Sequence, residues 1–396
     1  MDNLTHTLAG AALAEVALRD HAPLPRRRLF LAAGILGSNL PDLDVLYAGI
    51  TPAPLGYLLH HRGHTHTLLG GALQAALLAA VFLGVPAVRR LVAAEPGRFG
   101  ALVAVSLFGH LAMDAWNSYG VHPFHPADRR WYYGDAVFIL EPWLWVLLGV
   151  AGAFNATTRP ARVALVALVT LLPGGLALVG LVPGRGLAIL AAGGLAFAWV
   201  MRRASPRTRA GAALAGSVLL ATALFALSRR AHAEVTARLE PERRGEIVDL
   251  VLSPNPGSFS CWAVIAVEKH DSAGEYVLHR GTLSLLPDWQ PPTECASYRF
   301  ARGRERGTAG PSLAWNERIR APLASLRDLS GRDCWVRAWL QFGRAPYVRE
   351  GVIRDLRFDN GAGNFTAMEV APEGAARGCP PHMTSWAMPR LDLLRP

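Results

Sequence analysis

Imidazoles and carboxylates recur at short spacings within the first 114 residues. Asp2 and His6 open the chain. Asp42 and Asp44 follow in Asn39-Leu40-Pro41-Asp42-Leu43-Asp44. His60, His61, His64 and His66 crowd into His60-His61-Arg62-Gly63-His64-Thr65-His66, and His110 and Asp114 complete the set. All stand at the edges of apolar segments, where ionisable groups are costly unless something binds them. Imidazole and carboxylate together form the donor set of zinc, manganese or iron. The pattern therefore predicts a divalent-metal site at a membrane face, with zinc first and manganese or iron as alternatives.

Each member also has an ordinary reading. His110 and Asp114 are four apart on a helix and share one face, which lets one metal ion take both, with a buried His–Asp hydrogen bond as the alternative. Asp42 and Asp44 flank Leu43 just after Pro41, so they either bridge cations or cap a helix end. His61 and His66 straddle Gly63, whose backbone freedom allows ligands to fold inward. A polar loop is the alternative. His6 alone is weak and takes its weight from its companions. Arg62 cannot bind a metal. It suits a substrate phosphate or a salt bridge to Asp42 or Asp44. Beyond Asp114, the loop with His122 and His125 leads to Trp131, Tyr132 and Tyr133, aromatics typical of the headgroup level. His122 and His125 are read as outside the site. Glu141, at the start of the next apolar run, is a further functional candidate.

The elements that must position these groups are apolar helices. Hydrophobic residues make up 51% of the 396 residues and charged residues 18%, a membrane-like balance. Segments 6–19 and 29–40 fall short of the roughly 20 residues that span a bilayer. Segments 67–88, 99–117, 136–154, 162–182 and 209–228 are long enough, and 186–201 is marginal. The start, Met1-Asp2-Asn3-Leu4-Thr5-His6, lacks the basic region of a cleavable signal peptide. If every segment crosses, thirteen Arg (19, 26, 27, 28, 89, 90, 98, 159, 162, 202, 203, 207 and 209) share one side. Only Arg62, Arg129, Arg130 and Arg185 occupy the other short loops. The Arg-rich side is then cytoplasmic, and every candidate ligand faces the opposite side. This also accounts for much of the +10 net charge. No basic stripe with interleaved aromatics points to nucleic acid.

The apolar pattern ends near Ser228–Glu240. The expected architecture is mainly α: a polytopic helical membrane domain over 1–228, then a mostly β soluble domain over 240–396. Strands are expected at Phe259–Lys269 and Glu275–Leu286 around a turn at His270–Gly274, at Cys334–Phe342 with Tyr347–Phe358, and at Phe365–Val370. Cys261, Cys295, Cys334 and Cys379 all lie in this second domain. They suggest two disulfides in an oxidising, extracytoplasmic compartment, with three pairings open, against four buried thiols. A zinc site there lacks a Cys-x-x-Cys.

Leu40-Pro41-Asp42-Leu43-Asp44, His61-Arg62-Gly63-His64-Thr65-His66-Thr67 and Gly109-His110-Leu111-Ala112-Met113-Asp114, together with the first six residues, resemble in order the motifs of the YdjM-type membrane-bound metal-dependent hydrolases. The resemblance covers about residues 1–145. The helical His/Asp layout is also similar to zinc-dependent phospholipase C and the P1-type nucleases. The resemblance implies His6, Asp42, Asp44, His61, His66, His110 and Asp114 as metal ligands. His64 falls at the motif's variable position, so it and His60 rank below His61 and His66. The expected location is the inner (plasma) membrane of a bacterium, with the site and β domain placed on the extracytoplasmic side by the arginine count. The expected reaction is hydrolysis of a phosphoester, including a lipid one, with Asp42, Asp44 and Arg62 as catalytic residues. Two rivals stand beside it: a non-enzymatic protein that senses, stores or transfers metal, and a helical anchor for a partner-binding β domain. The near absence of ionisable residues from 162 to 227 speaks against a transport path.

Overall fold

The computed structural model describes residues 1–240, 245–297, 307–308, 310–359, 363–374 and 377–395. Ten α-helices come first among them: α1 (Asn3–Ala17), α2 (Leu24–Gly37), α3 (Leu55–His60), α4 (Leu68–Gly84), α5 (Pro86–Val92), α6 (Pro96–Asp114), α7 (Pro142–Asn155), α8 (Arg159–Leu178), α9 (Gly184–Met201) and α10 (Pro206–Leu239). A 3-10 turn at Leu40–Leu46 carries Asp42 and Asp44, and another at His64–His66 links α3 to α4.

Helices α8, α9 and α10 are each long and apolar enough to cross a membrane. Three bent pairs raise the number to six if each is one span: 24–37 with 40–50, 55–66 with 68–84, and 86–92 with 96–114. The expected span 136–154 is shorter than its apolar run. Glu141 caps α7 through the Trp143 amide, and Pro142 follows as the first helical residue. The resulting 14 residues rise only about 21 Å, less than a hydrocarbon core of about 30 Å. The 67–88 run breaks at Val85, where Pro86 begins α5.

Helices α1 and α2 cross at glycine. A Cβ on Gly10 would lie 2.4 Å from the Gly34 carbonyl oxygen, and one on Gly34 would lie 2.3 Å from that of Gly10. This contact sets α1, with His6, against the helix that leads into Asp42. Phe30, Phe99, Leu102 and Leu107 fill the space between α2 and α6.

The arginine partition has a structural counterpart at the end of the bundle away from the 42–66 loops. Arg26 donates to the Leu91 carbonyl and to Glu95. Arg27 donates to Glu15 and to the Asn155 carbonyl, and Arg209 donates to Asn155.

Helix α10 runs 34 residues, about 51 Å, so it leaves the bundle without a break. Its last turns bury Ala231, Val235 and Leu239 against a sheet. That sheet is antiparallel, in the order β1-β2-β3-β5-β4. Its strands are β1 (Glu246–Pro254), β2 (Cys261–His270), β3 (Glu275–Ser284), β4 (Gly307–Thr308) and β5 (Leu313–Pro322). The expected hairpin is there, with Cys261 opposite Ser284 and His270 opposite Glu275. Both faces of β2 are covered, which explains its nearly unbroken apolar run. Trp262 and Val264 face α10, while Ile265 and Val267 face the second core.

That second core joins the two regions. Leu55, Leu58 and Leu59 of α3, with Tyr119 and Trp131, pack with Val267, Leu278, Trp339, Phe342 and Leu356. The sheet region therefore lies over the same end of the bundle as the candidate ligands.

Cys334–Phe342 is a correction. It is not a strand; α12 (Cys334–Trp339) follows α11 (Leu323–Arg332). Asp333 caps α12 by accepting from the Trp335 amide, and the helix buries Cys334, Val336, Ala338 and Trp339. Tyr347–Phe358 is a short hairpin, β6 (Pro346–Arg349) and β7 (Val352–Asp355). Only Met368–Glu369 of the expected fifth strand pairs with it, as β8. The disulfides are Cys261–Cys295 and Cys334–Cys379, with Cα separations of 5.7 and 5.4 Å.

Arg344 bolts the two regions together. It donates to both oxygens of Asp135, in the α6–α7 loop, at 2.8 and 2.9 Å, and to Asp249 of β1 at 2.7 and 3.0 Å. Burial alone would raise the Asp249 carboxyl, but the Arg344 guanidinium holds it below its ordinary value. This contribution is present at pH values above the ordinary Asp pKa and is lost as pH falls through the lowered one. Arg344→Ala leaves Asp135 without its ion-pair partner and Asp249 with Arg390 alone. It is expected to cost about 3–5 kcal/mol, read as a lower unfolding temperature in detergent. An unchanged temperature would remove this triad as the bolt.

Candidate metal centre

Backbone breaks deliver the ligands. Asp42 and Asp44 sit on the 3-10 turn after α2, His61 and His66 on the turn between α3 and α4, and His110 and Asp114 on the last turn of α6. Two groups form among the described residues. Asp42, His66, His110 and Asp114 make the first, and Asp42, Asp44 and His61 the second. In each, the candidate donor atoms lie within 4.8 Å of one another. Asp42 belongs to both.

In the first group, His66 Nε2 and His110 Nε2 are 3.1 Å apart. His66 Nε2 lies 3.4 Å from Asp42 Oδ1 and 3.2 Å from Asp114 Oδ2. His110 Nε2 lies 3.5 Å from each of the same two oxygens. The opposite ring nitrogens are already committed. His110 Nδ1 donates to the Ser38 carbonyl at 2.7 Å, and His66 Nδ1 lies 3.2 Å from Asp44 Oδ2. These partners fix the tautomers, by hydrogen-bond logic, so that both Nε2 lone pairs point into one space. Two lone pairs facing each other beside two carboxylates repel unless a cation lies between them. Asp114 Oδ2 is buried and receives no hydrogen bond among the described residues. The donor set fits a divalent metal, and the carbonyl and carboxylate behind the imidazoles are the usual outer partners of metal-bound histidine.

In the second group, Asp44 is buried and accepts at 2.9 Å from His61 Nδ1, 2.9 Å from the Arg62 amide and 2.8 Å from Thr65 Oγ1. Asp42 and His61 are the more open members, with side chains 12% and 13% exposed. Asn3 donates to Asp42 at 2.9 Å.

His6 lies in neither group. Its ring stacks on His110 with centroids 3.8 Å apart, and its Nε2 is 3.2 Å from Asp114 Oδ1. Arg62 is buried and pairs with Asp114 rather than with the Asp42 or Asp44 carboxylates expected of a salt bridge. Its guanidinium donates to Asp114 Oδ1 at 3.0 Å, the Asp114 carbonyl at 3.2 Å and Asn117 Oδ1 at 3.1 Å. The amino group of Met1 also donates to Asp114. His60 bonds Thr51 at 2.8 Å. His64, His122 and His125 gather instead around Trp386, whose indole stacks on His122 with centroids 4.0 Å apart. Glu141 caps α7, accepts from the Gly257 amide at 3.4 Å and lies in neither group.

Several supporting residues escaped the sequence reading. The Ser38 carbonyl is backbone and leaves no mark in a sequence. Thr65 stood inside a quoted motif and Asn117 in the loop just beyond Asp114, but hydroxyls and amides carry no ligand signal. Trp386 comes from 320 residues downstream of His66.

No curated protein and no solved structure matches the chain. Residues 1–183, which carry every side chain of both groups, match the family described as YdjM inner membrane protein, and with the apolar helices this makes the chain a membrane protein.

Proposed function

We propose that the chain is a membrane-bound metal-dependent hydrolase of a phosphoester. The observation that carries this reading is Asp42, shared between two groups of potential ligands. Asp42, Asp44, His61, His66, His110 and Asp114 would hold a divalent pair, which would activate water at neutral pH and offset charge at phosphorus. The chain's own residues supply the rest. Asp44 orients His61 and His66, and Ser38 orients His110. Asp42, the more open of the two carboxylates, is the one that would hold metal in both groups, since Asp44 already serves several donors. Leu43, Val45 and Leu46 are exposed beside the carboxylates, which favours a substrate bearing acyl chains. Zinc, with two imidazoles and two carboxylates in the first group, is the first metal to test.

Arg62 is assigned a positioning role. Both of its terminal nitrogens hold Asp114 or Asn117, so little of the guanidinium remains for a phosphate. Arg62→Lys keeps the charge and loses the fork, and metal content and hydrolysis are expected to fall together. Lost hydrolysis with full metal content would return Arg62 to a substrate-gripping role.

Two disulfides in the sheet region, packed over the site's end of the bundle, favour an extracytoplasmic site. Single cysteines at Ala94 and Arg207 are expected to react only from the cytoplasm, and one at Ala127 only from the other side. The reverse pattern would put the site in the cytoplasm.

The direct test is hydrolysis of phosphodiesters, soluble and in vesicles, by the full chain with and without a chelator. Chelator-sensitive release of product supports the reading. The near-complete burial of His66, His110 and Asp114 also suits a protein that holds metal without turnover. Bound metal with no hydrolysis of any phosphoester tested would favour that second reading.

A further inference from the structure

The lower edge of the sheet carries an apolar patch that the metal site does not use. Phe259, Leu286 and Trp289 are 39%, 50% and 51% exposed. They are neighbours: the Leu285 amide donates to the Ser260 carbonyl at 2.8 Å, and Ser260 Oγ donates to Gln290 at 2.9 Å. A surface Trp, Leu and Phe together are unusual on a face turned to water.

Their position explains them. Trp143, the second residue of α7, has its ring 6.1 Å from that of Phe259. Arg185, the second residue of α9, donates to the Trp289 carbonyl at 3.1 Å and lies 4.8 Å from the Trp289 ring centre. A Cβ on Gly257 would touch Pro142 and Leu190. Leu178, the last residue of α8, is 91% exposed. The patch therefore continues the ends of α7, α8 and α9, on the side where those helices leave the membrane.

The opposite edge is different in kind. Strand β2 has ten residues and carries the chain about 30 Å away. It ends at Lys269, His270 and the exposed turn Asp271–Ala273. One edge presents exposed rings and Leu286, with Asp288 and the Arg185–Glu294 ion pair beside them, while the other presents polar and charged groups. A domain standing on a bilayer has this polarity, and Trp with an adjacent Arg is the usual composition at the headgroup level.

We propose that Phe259, Leu286 and Trp289 form a lipid-docking surface that seats the sheet domain on the bilayer beside α7–α9. Its partner is the interfacial layer of the membrane, where the rings and Leu286 lie below the phosphates and Arg185 lies among them. This goes beyond the hydrolase reading and does not depend on it.

The test uses the full chain in nanodiscs of phosphatidylethanolamine and phosphatidylglycerol. Nitroxide labels are placed on Leu286→Cys, Trp289→Cys and, as reference, Ser272→Cys, without reductant so that both disulfides persist. At 286 and 289 the ratio of oxygen to nickel-chelate collisions is expected to be several-fold above that at 272. Equal ratios at the three sites would overturn the proposal. So would dipolar broadening at 289 that disappears on dilution with unlabelled protein, since a second copy would then cover the patch. Phe259→Cys replaces either variant if that variant loses the parent's unfolding temperature.

Discussion

His66→Ala and Asp114→Ala are each expected to strip the purified, membrane-inserted protein of most of its metal. The imidazole of His66 stands 3.1 Å from the His110 nitrogen and 3.2 Å from Asp114 Oδ2, so either loss removes a donor from the four-residue group. Removing an outer partner of a metal ligand typically costs about 10–100-fold in affinity, and removing the ligand itself should cost at least as much. His64→Ala is the matched control. It lies two residues away but faces Trp386, and its metal content should match the parent's. Elemental analysis of the three variants side by side reads the result. Parental metal content in His66→Ala and Asp114→Ala would end the assignment of the first group.

Asp42→Asn is expected to have the largest effect on turnover. It keeps the size of the side chain and can keep the Asn3 contact, yet it removes a charged oxygen from both groups at once. Hydrolysis of a phosphodiester is expected to fall about a hundredfold or more, roughly 2.7 kcal/mol of barrier. Activity within about twofold of the parent, which is about 0.4 kcal/mol, would contradict the shared-carboxylate arrangement.

The candidate site was legible because its chemistry is written in residue types that helices at a membrane rarely hold without a use. The i, i+4 pair His110 and Asp114 shares a face, and the fold brings Asp42 and His66 to it. The separation of Asp44 and Asp42 into different duties was not legible. Both flank Leu43 symmetrically in the sequence. Only the 3-10 turn shows that Asp44 points inward to four donors while Asp42 bridges the groups. The partner of Arg62 was hidden for a similar reason, since Asp114 lies 52 residues downstream.

The sheet region was read less well. Strands β2 and β3 were plain from their apolar runs around a turn. Strand β5 was not, because Arg318 and Arg320 on its open face, and Glu317 on the other, interrupt its apolar run. Helix α12 was mistaken for a strand because Cys334-Trp335-Val336 has strand-forming residue types. The deciding signal was Asp333, a cap whose carboxylate satisfies the first turn, and the tertiary core then buried the helix. Strand β1 carries Asp249 in its middle, a residue that disfavours a strand until Arg344 arrives from 95 residues away to pair with it.

The most direct test of the account is the metal content of the wild-type chain, purified from membranes without chelator and confirmed by anomalous scattering. Two groups sharing Asp42 predict two divalent ions per chain, both lost in Asp42→Asn and the first lost in His66→Ala. A wild-type protein that carries no metal, and binds none when zinc, manganese or iron is supplied, would contradict it.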